Sequence, residues 1–150
     1  MKKQQFIKEF TLKAKPTNRE TRVLKDSRDT FEELCNIYDP DTATLYETAY
    51  ALYLNQDNRI KGFLKLSEGG LTNVIVDPRV MMMGAIGCSA TAIVLSHNHP
   101  SGNPRPSEED RQLTKKLLAA CKLMDICFVD HIVMGAGRYY SFRDHGEMIY

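Results

Sequence analysis

Between Ser96 and Asp110 the chain reads SHNHPSGNPRPSEED, a run dense in groups that bind metals and move protons. In extended backbone, residues two apart share a face, so His97 and His99 are expected to point together from the end of the apolar run TAIVL. Asp110 falls in the first turn of the helix that follows, and the loop between can fold its carboxylate back to the two imidazoles. Two His and one carboxylate leave one position of a tetrahedron open for water, which is how a catalytic rather than a structural zinc site is built. One Zn²⁺ per chain, held by His97, His99 and Asp110, is therefore the expected cofactor. Such an ion lowers the pKa of its water to about 7 and polarises a substrate carbonyl.

Chemistry of this kind needs a proton acceptor. Glu47 lies in an otherwise apolar stretch between Tyr46 and Tyr53, and a carboxylate there is costly unless it is exposed or paired. Ser107, one helical turn before Asp110, offers a hydroxyl to a developing oxyanion. Each has a plain alternative. Ser107 and Asp110 also match a capping box, and Glu47 could face solvent from a half-exposed strand. Singly these alternatives are favoured. Taken together, H-x-H-P-S-G followed by P-S-x-x-D after a buried strand is hard to explain by structure alone. Other metal motifs fail on spacing. No H-E-x-x-H occurs, His99 is followed by Pro100 and Ser101 without a downstream C-x-x-C, and Ser101 stands where H-x-H-x-D-H requires Asp.

The remaining composition bounds the class. The chain has 150 residues, 43% hydrophobic and 26% charged, which suits one ordinary globular domain. A net charge of +1 creates no overall field calling for nucleic acid or membrane. Residues 1–32 carry nine Lys/Arg against five Asp/Glu, so only a short basic arm could touch an acidic partner. The longest uncharged apolar stretch, 80–95, is interrupted by glycines, Ser and Thr, and the start MKKQQFIKEF lacks the apolar core of a signal peptide. A cytoplasmic protein with reduced Cys35, Cys88, Cys121 and Cys127 is expected.

These residues need a scaffold, and the patterning supplies one. An N-terminal extension, 1–26, alternates loosely over 4–15 and suggests an edge strand. A domain over 27–150 opens with a helix capped by Ser27 and running to about Tyr38. Strands follow over 45–56 and 59–67, joined at Asp57-Asn58, and a third over 71–76. Asp77-Pro78 starts a helix reaching about Cys88, with Met81, Met82 and Met83 expected in the core. A buried strand over 91–99, a helix opened by Ser107, and strands over 125–134 and 138–142 complete the chain. The order indicates an α/β or α+β sandwich around one mixed, mostly antiparallel sheet flanked by helices. Asp130 and His131 straddle the two faces of their strand, so only one can join the site. A buried, hydrogen-bonded His131 is favoured there over one that orients a ligand.

Glu47, His97-x-His99 and Asp110, with Ser107 three residues before it, resemble the JAMM motif of MPN/JAB-domain metalloproteases. The longer string HNHPSG…PSEED, then Asp130-His131-Ile132 and Tyr140-Ser141-Phe142, is similar to the bacterial RadC family of that superfamily. The resemblance spans about residues 27–146. It implies a cytidine-deaminase-like sandwich, zinc on His97, His99 and Asp110, Glu47 as general acid/base and Ser107 as oxyanion stabiliser. It also implies cleavage of a peptide or isopeptide bond in a protein substrate, under a family name tied to DNA repair. Members commonly place a helix-hairpin-helix region before this domain. Residues 1–26 are too short for one and lack its glycine-rich hairpins, so DNA contact is expected to be weak. The rival expectations are a metal-dependent nuclease and a DNA-repair-associated adaptor.

Overall fold

A computed structural model describes residues 6–69 and 76–149. The described residues form three helices and five strands in the order α1 (Ser27–Ile37), β1 (Thr48–Leu54), β2 (Ile60–Glu68), α2 (Pro78–Gly87), β3 (Ala92–Asn98), α3 (Glu108–Leu123), β4 (Cys127–Gly135) and β5 (Arg138–Ser141). One sheet has the strand order β2-β1-β3-β4-β5. The β1–β2, β1–β3 and β4–β5 pairs are antiparallel, and β3–β4 is parallel. The parallel pair exists because α3 carries the chain back from the end of β3 to the start of β4, whereas the tight turns at 55–59 and 136–137 close hairpins. This is the α+β sandwich expected from the sequence.

Side-chain alternation divides the core between the two faces of the sheet. Ala51, Tyr53, Ile93, Leu95 and Phe128 pack with Met81 and Ala85 of α2 and with Leu117, Leu118 and Cys121 of α3. Leu52, Leu54, Val94 and Ile132 face the other way, against Leu34 of α1. Both sides of the central strands are therefore covered, which is why β1 and β3 are buried at every position. At Gly84 a Cβ would lie 2.2 Å from the Tyr53 hydroxyl, so glycine is what lets α2 settle on the sheet.

Several local expectations require correction. Residues 6–15 form no strand, and Phe6, Ile7, Phe10 and Leu12 are exposed, because no sheet edge lies alongside to take up their backbone groups. The cap of α1 is Asp26, whose side chain accepts from the Asp29 N–H, while the Ser27 hydroxyl turns instead to Tyr139 and Asp144. Of the three methionines Met81 is buried, but Met83 is half exposed because it falls on the outer side of α2. The strand expected over 71–76 lies outside the described residues, Val76 excepted. All four cysteines are free thiols, and burial pushes Cys121 up to about 12. Among the described residues no helix is long and apolar enough to cross a membrane.

Asp130 shows how the α1 side handles a buried charge. Its carboxylate accepts from the backbone N–H groups of His131 and Arg143 and from the Ser141 hydroxyl. Burial nonetheless outweighs these bonds and pushes its pKa up to about 6. An unfolded Asp titrates near about 4, so between about pH 4 and pH 6 the folded chain holds a proton that the unfolded chain has released. Stability from this group is therefore greatest below that window and declines as pH rises through it. Asp130→Asn cannot titrate. Relative to the wild type it should gain on the order of 2–3 kcal/mol across the window, read by urea unfolding at successive pH values. Parallel stability curves for the two proteins would refute this.

Candidate metal centre

The end of β3 brings the sequence-predicted ligands together. His97 is the penultimate residue of β3 and His99 lies just beyond its end, with their Nε2 atoms 3.0 Å apart. Asp110 Oδ1 lies 3.1 Å from His97 Nε2, and Oδ2 lies 3.4 Å from His99 Nε2. Corners of a tetrahedron about an ion with Zn–N and Zn–O bonds of 2.0–2.1 Å would be about 3.3 Å apart, so the trio has the spacing of three ligands to one small cation. The donor set fits as well. Three electron-pair donors directed at one point repel one another unless a metal ion or a proton lies between them.

The capping box aims the carboxylate. Asp110 Oδ2 accepts from the Ser107 N–H at 2.7 Å, and the Asp110 N–H donates to Ser107 Oγ at 3.1 Å. The capping and the functional readings of these two residues are thus one geometry, because the bonds that start α3 also turn Asp110 toward β3. Ser107 Oγ is an acceptor there, and its own proton is available to an incoming oxygen.

The loop after β3 is fixed from two sides. The His99 N–H donates to the Met134 carbonyl, and the Gly102 N–H to the His99 carbonyl. Gly102 has φ +84°, a left-handed backbone that glycine adopts without strain. A Cβ on Gly135 would come 2.7 Å from the Gly102 carbonyl oxygen, so β4 also needs a glycine where the loop rests on it.

Electrostatics follow from these contacts. Burial acts to raise the Asp110 pKa, but the imidazoles of His97 and His99, which hydrogen-bond to the carboxylate when protonated at Nε2, outweigh it and hold the carboxyl far below the usual range. The same carboxylate raises the His99 pKa by hydrogen bonding. Burial opposes that shift, while the Asn103 carbonyl and the negative charges of Asp110 and Glu47 support it.

Glu47 is buried, with 7% of its surface exposed. It lies one residue before β1 rather than in mid-strand. Ala49 pairs with His97, so two residues back Glu47 comes level with His99 on the same face. Among the described residues nothing hydrogen-bonds to its carboxylate, and its negative charge acts on His99.

Sequence reasoning missed the residue that places Glu47. Asn98, between the two histidines, projects to the opposite face. Its Oδ1 accepts from the Thr48 N–H at 2.7 Å, and its Nδ2 donates to the carbonyls of Ala43 and Tyr46 at 2.7 and 3.1 Å. These bonds clamp the segment entering β1 and explain why the strand starts after Glu47. The signal in the sequence was an amide side chain, with two N–H donors and a carbonyl acceptor to satisfy, in a strand expected to be buried.

His131 is fully buried and hydrogen-bonded, as the sequence favours, but its partner is His97 of the candidate metal site. The His131 Nε2 is 2.8 Å from His97 Nδ1. A register shift sets Val94 opposite Asp130 where Ile93 is opposite Phe128, so one extra residue is accommodated in β4. That bulge returns His131 to the face of Phe128 and His97, whereas Asp130 turns toward Leu24, Thr30 and Val94. Burial lowers the His131 pKa well below its ordinary value, with the neighbouring His97 acting in the same direction.

Comparison with known proteins adds to this geometry. The family model described as the RadC-like JAB domain matches residues 24–147. The chain belongs to the RadC-like JAB family. Its relatives include a UPF0758 protein of Actinobacillus pleuropneumoniae, 47% identical over 98 residues, which are 65% of this chain and 44% of the relative. One from Streptococcus gordonii is 42% identical over 103 residues, covering 69% and 46% of the two chains. Another, from Symbiobacterium thermophilum, is 44% identical over 100 residues, covering 67% and 43%. The chain thus matches less than half the length of these curated RadC-family relatives. In this RadC-like domain, His97, His99 and Asp110 form a candidate site for a metal ion.

Proposed function

We propose that the chain is a zinc-dependent hydrolase of a peptide or isopeptide amide bond in a protein substrate. The observation that carries this reading is the convergence of His97, His99 and Asp110 near Glu47, a largely buried residue whose carboxylate no described residue hydrogen-bonds. Zinc bound to the trio would supply Lewis acidity toward the carbonyl and lower the pKa of the attacking water. Glu47 accepts the proton that water gives up as its oxygen bonds to the carbonyl carbon. It returns that proton to the nitrogen as the C–N bond breaks. Ser107 donates its hydroxyl hydrogen to the carbonyl oxygen as charge develops there.

A protein substrate suits the charge better than DNA. Phosphate neutralisation by Lys and Arg supplies most non-specific DNA affinity, and this chain has a net charge of only +1. Any duplex binding should be weak and lost steeply with salt.

Metal analysis of the purified chain tests the reading. Wild type should carry about one zinc per chain and His97→Ala/His99→Ala almost none, because two of three protein ligands are gone. Equal zinc in both would sink the metal reading. A nuclease activity that survives purification and vanishes in Asp110→Ala would replace the peptide substrate with DNA.

A further inference from the structure

We propose that Thr114 and His131 form a hydrogen-bond relay that holds His97 in its Nδ1-protonated form, keeping Nε2 bare toward the metal trio. Both act through His97 and are positioning residues. The inference rests on the zinc reading above for its purpose, but its geometry stands independently.

The direction of the relay follows from one group that cannot donate. Thr114 lies one helical turn after Asp110, and its Oγ1 is 2.7 Å from the Asp110 carbonyl oxygen. A carbonyl only accepts, so the hydroxyl proton occupies that contact. The oxygen then offers lone pairs to His131 Nδ1, 2.7 Å away, which must be the donor. A neutral imidazole carries one N–H, so His131 Nε2 is an acceptor and His97 Nδ1, 2.8 Å from it, donates. Neutral His97 is left with an unprotonated Nε2, the atom 3.0 Å from His99 Nε2 and 3.1 Å from Asp110 Oδ1.

Burial prevents water from reversing this order. Thr114, His131 and His97 are each at most 1% exposed. Phe142 stacks on the His131 ring at 4.7 Å and 7°, which fixes its plane. His99 has a simpler arrangement, with Nδ1 2.8 Å from the Asn103 carbonyl. The two imidazoles are thus set by different means, one by a loop carbonyl and the other by side chains. The relay ends on the backbone of Asp110, whose carboxylate is itself in the trio. One turn of α3 therefore positions a ligand and sets the tautomer of its neighbour.

Zinc affinity, read by competition with a chromophoric chelator, is compared among wild type, His131→Leu, His131→Gln and Thr114→Val. Leu offers His97 no acceptor and should weaken zinc binding by about 10–100-fold. Gln places an amide oxygen near the former Nε2 and should recover most of that loss, which a packing role alone would not produce. Thr114→Val, which strands the His131 Nδ1–H, should weaken binding by a smaller factor. Wild-type affinity in His131→Leu, or Gln as weak as Leu in a folded protein, would overturn the relay. ¹⁵N NMR of the metal-free wild type supplies a readout independent of the variants' folding. The chain has four histidines, and His131 is expected in its Nδ1–H form. An Nε2–H form would overturn the inference. Failure of the wild type to bind zinc would overturn the proposed function, whereas the NMR tautomer still decides the relay.

Discussion

Glu47→Gln is expected to bind zinc like the wild type and to lose about 10²–10⁴-fold in turnover, the range that positioned general acid–base catalysis contributes. The two side chains have nearly the same shape, so the segment entering β1 should keep its place. What disappears is the ability to accept a proton from water and return it to the leaving nitrogen. The wild type is first screened on fluorogenic peptide and isopeptide substrates, and the variant is then compared on whichever substrate is cleaved. Metal content and thermal melting serve as controls. A variant as active as wild type would remove Glu47 from the mechanism and leave the metal trio standing. Loss of zinc together with turnover would make Glu47 a contributor to metal binding.

Asn98→Ala should be the most damaging change outside the trio. Asn98 is 4% exposed and serves one backbone N–H and two carbonyls. Truncation strands all three, at about 1–3 kcal/mol for each group left buried and unsatisfied, less whatever entering water restores. A net loss of about 2–4 kcal/mol is expected, lowering Tm by on the order of 10 °C for a domain of this size. His97, His99 and Asp110 would keep their places at the end of β3 and in α3, so metal content should persist. Turnover should fall because the clamp that holds Glu47 opposite His99 is gone. Asn98→Asp, which keeps the acceptor for the Thr48 N–H but loses both donors, should fall between. An Asn98→Ala protein with wild-type stability and turnover would show that β1 pairing alone places Glu47.

Much of the fold was legible because its signals are local. Asp77-Pro78 starts α2, Ser107 caps α3, and apolar runs bounded by turn residues mark β1 and β3 while alternation marks β2, each a signal contained within a few residues. The candidate ligand set was legible for the same reason. Two-residue periodicity puts His97 and His99 on one face, and a capping position puts Asp110 in the first turn of its helix. Ser27 does not cap α1, and residues 6–15 of the edge strand expected over 4–15 form none, because both roles depend on more than local residue type. Asp26 was one residue closer to the required geometry, and an alternating segment becomes a strand only where a sheet edge accepts it.

Tertiary structure decided what depends on pairing across distance. That Glu47 comes level with His99 follows from the register of β1 against β3, which no spacing along the chain encodes. That His131 rather than Asp130 reaches His97 depends on the bulge in β4, since one added residue exchanges the faces of all that follow. Asn98 and Thr114 acquire their roles only when the carbonyls and imidazoles they serve, far away in sequence or on another element, are brought within hydrogen-bonding distance. Residue types and local spacing specify which groups could do chemistry and which three could meet. Strand register and burial determined which others orient them, because a hydrogen bond formed out of reach of water leaves its donor and acceptor no alternative partner.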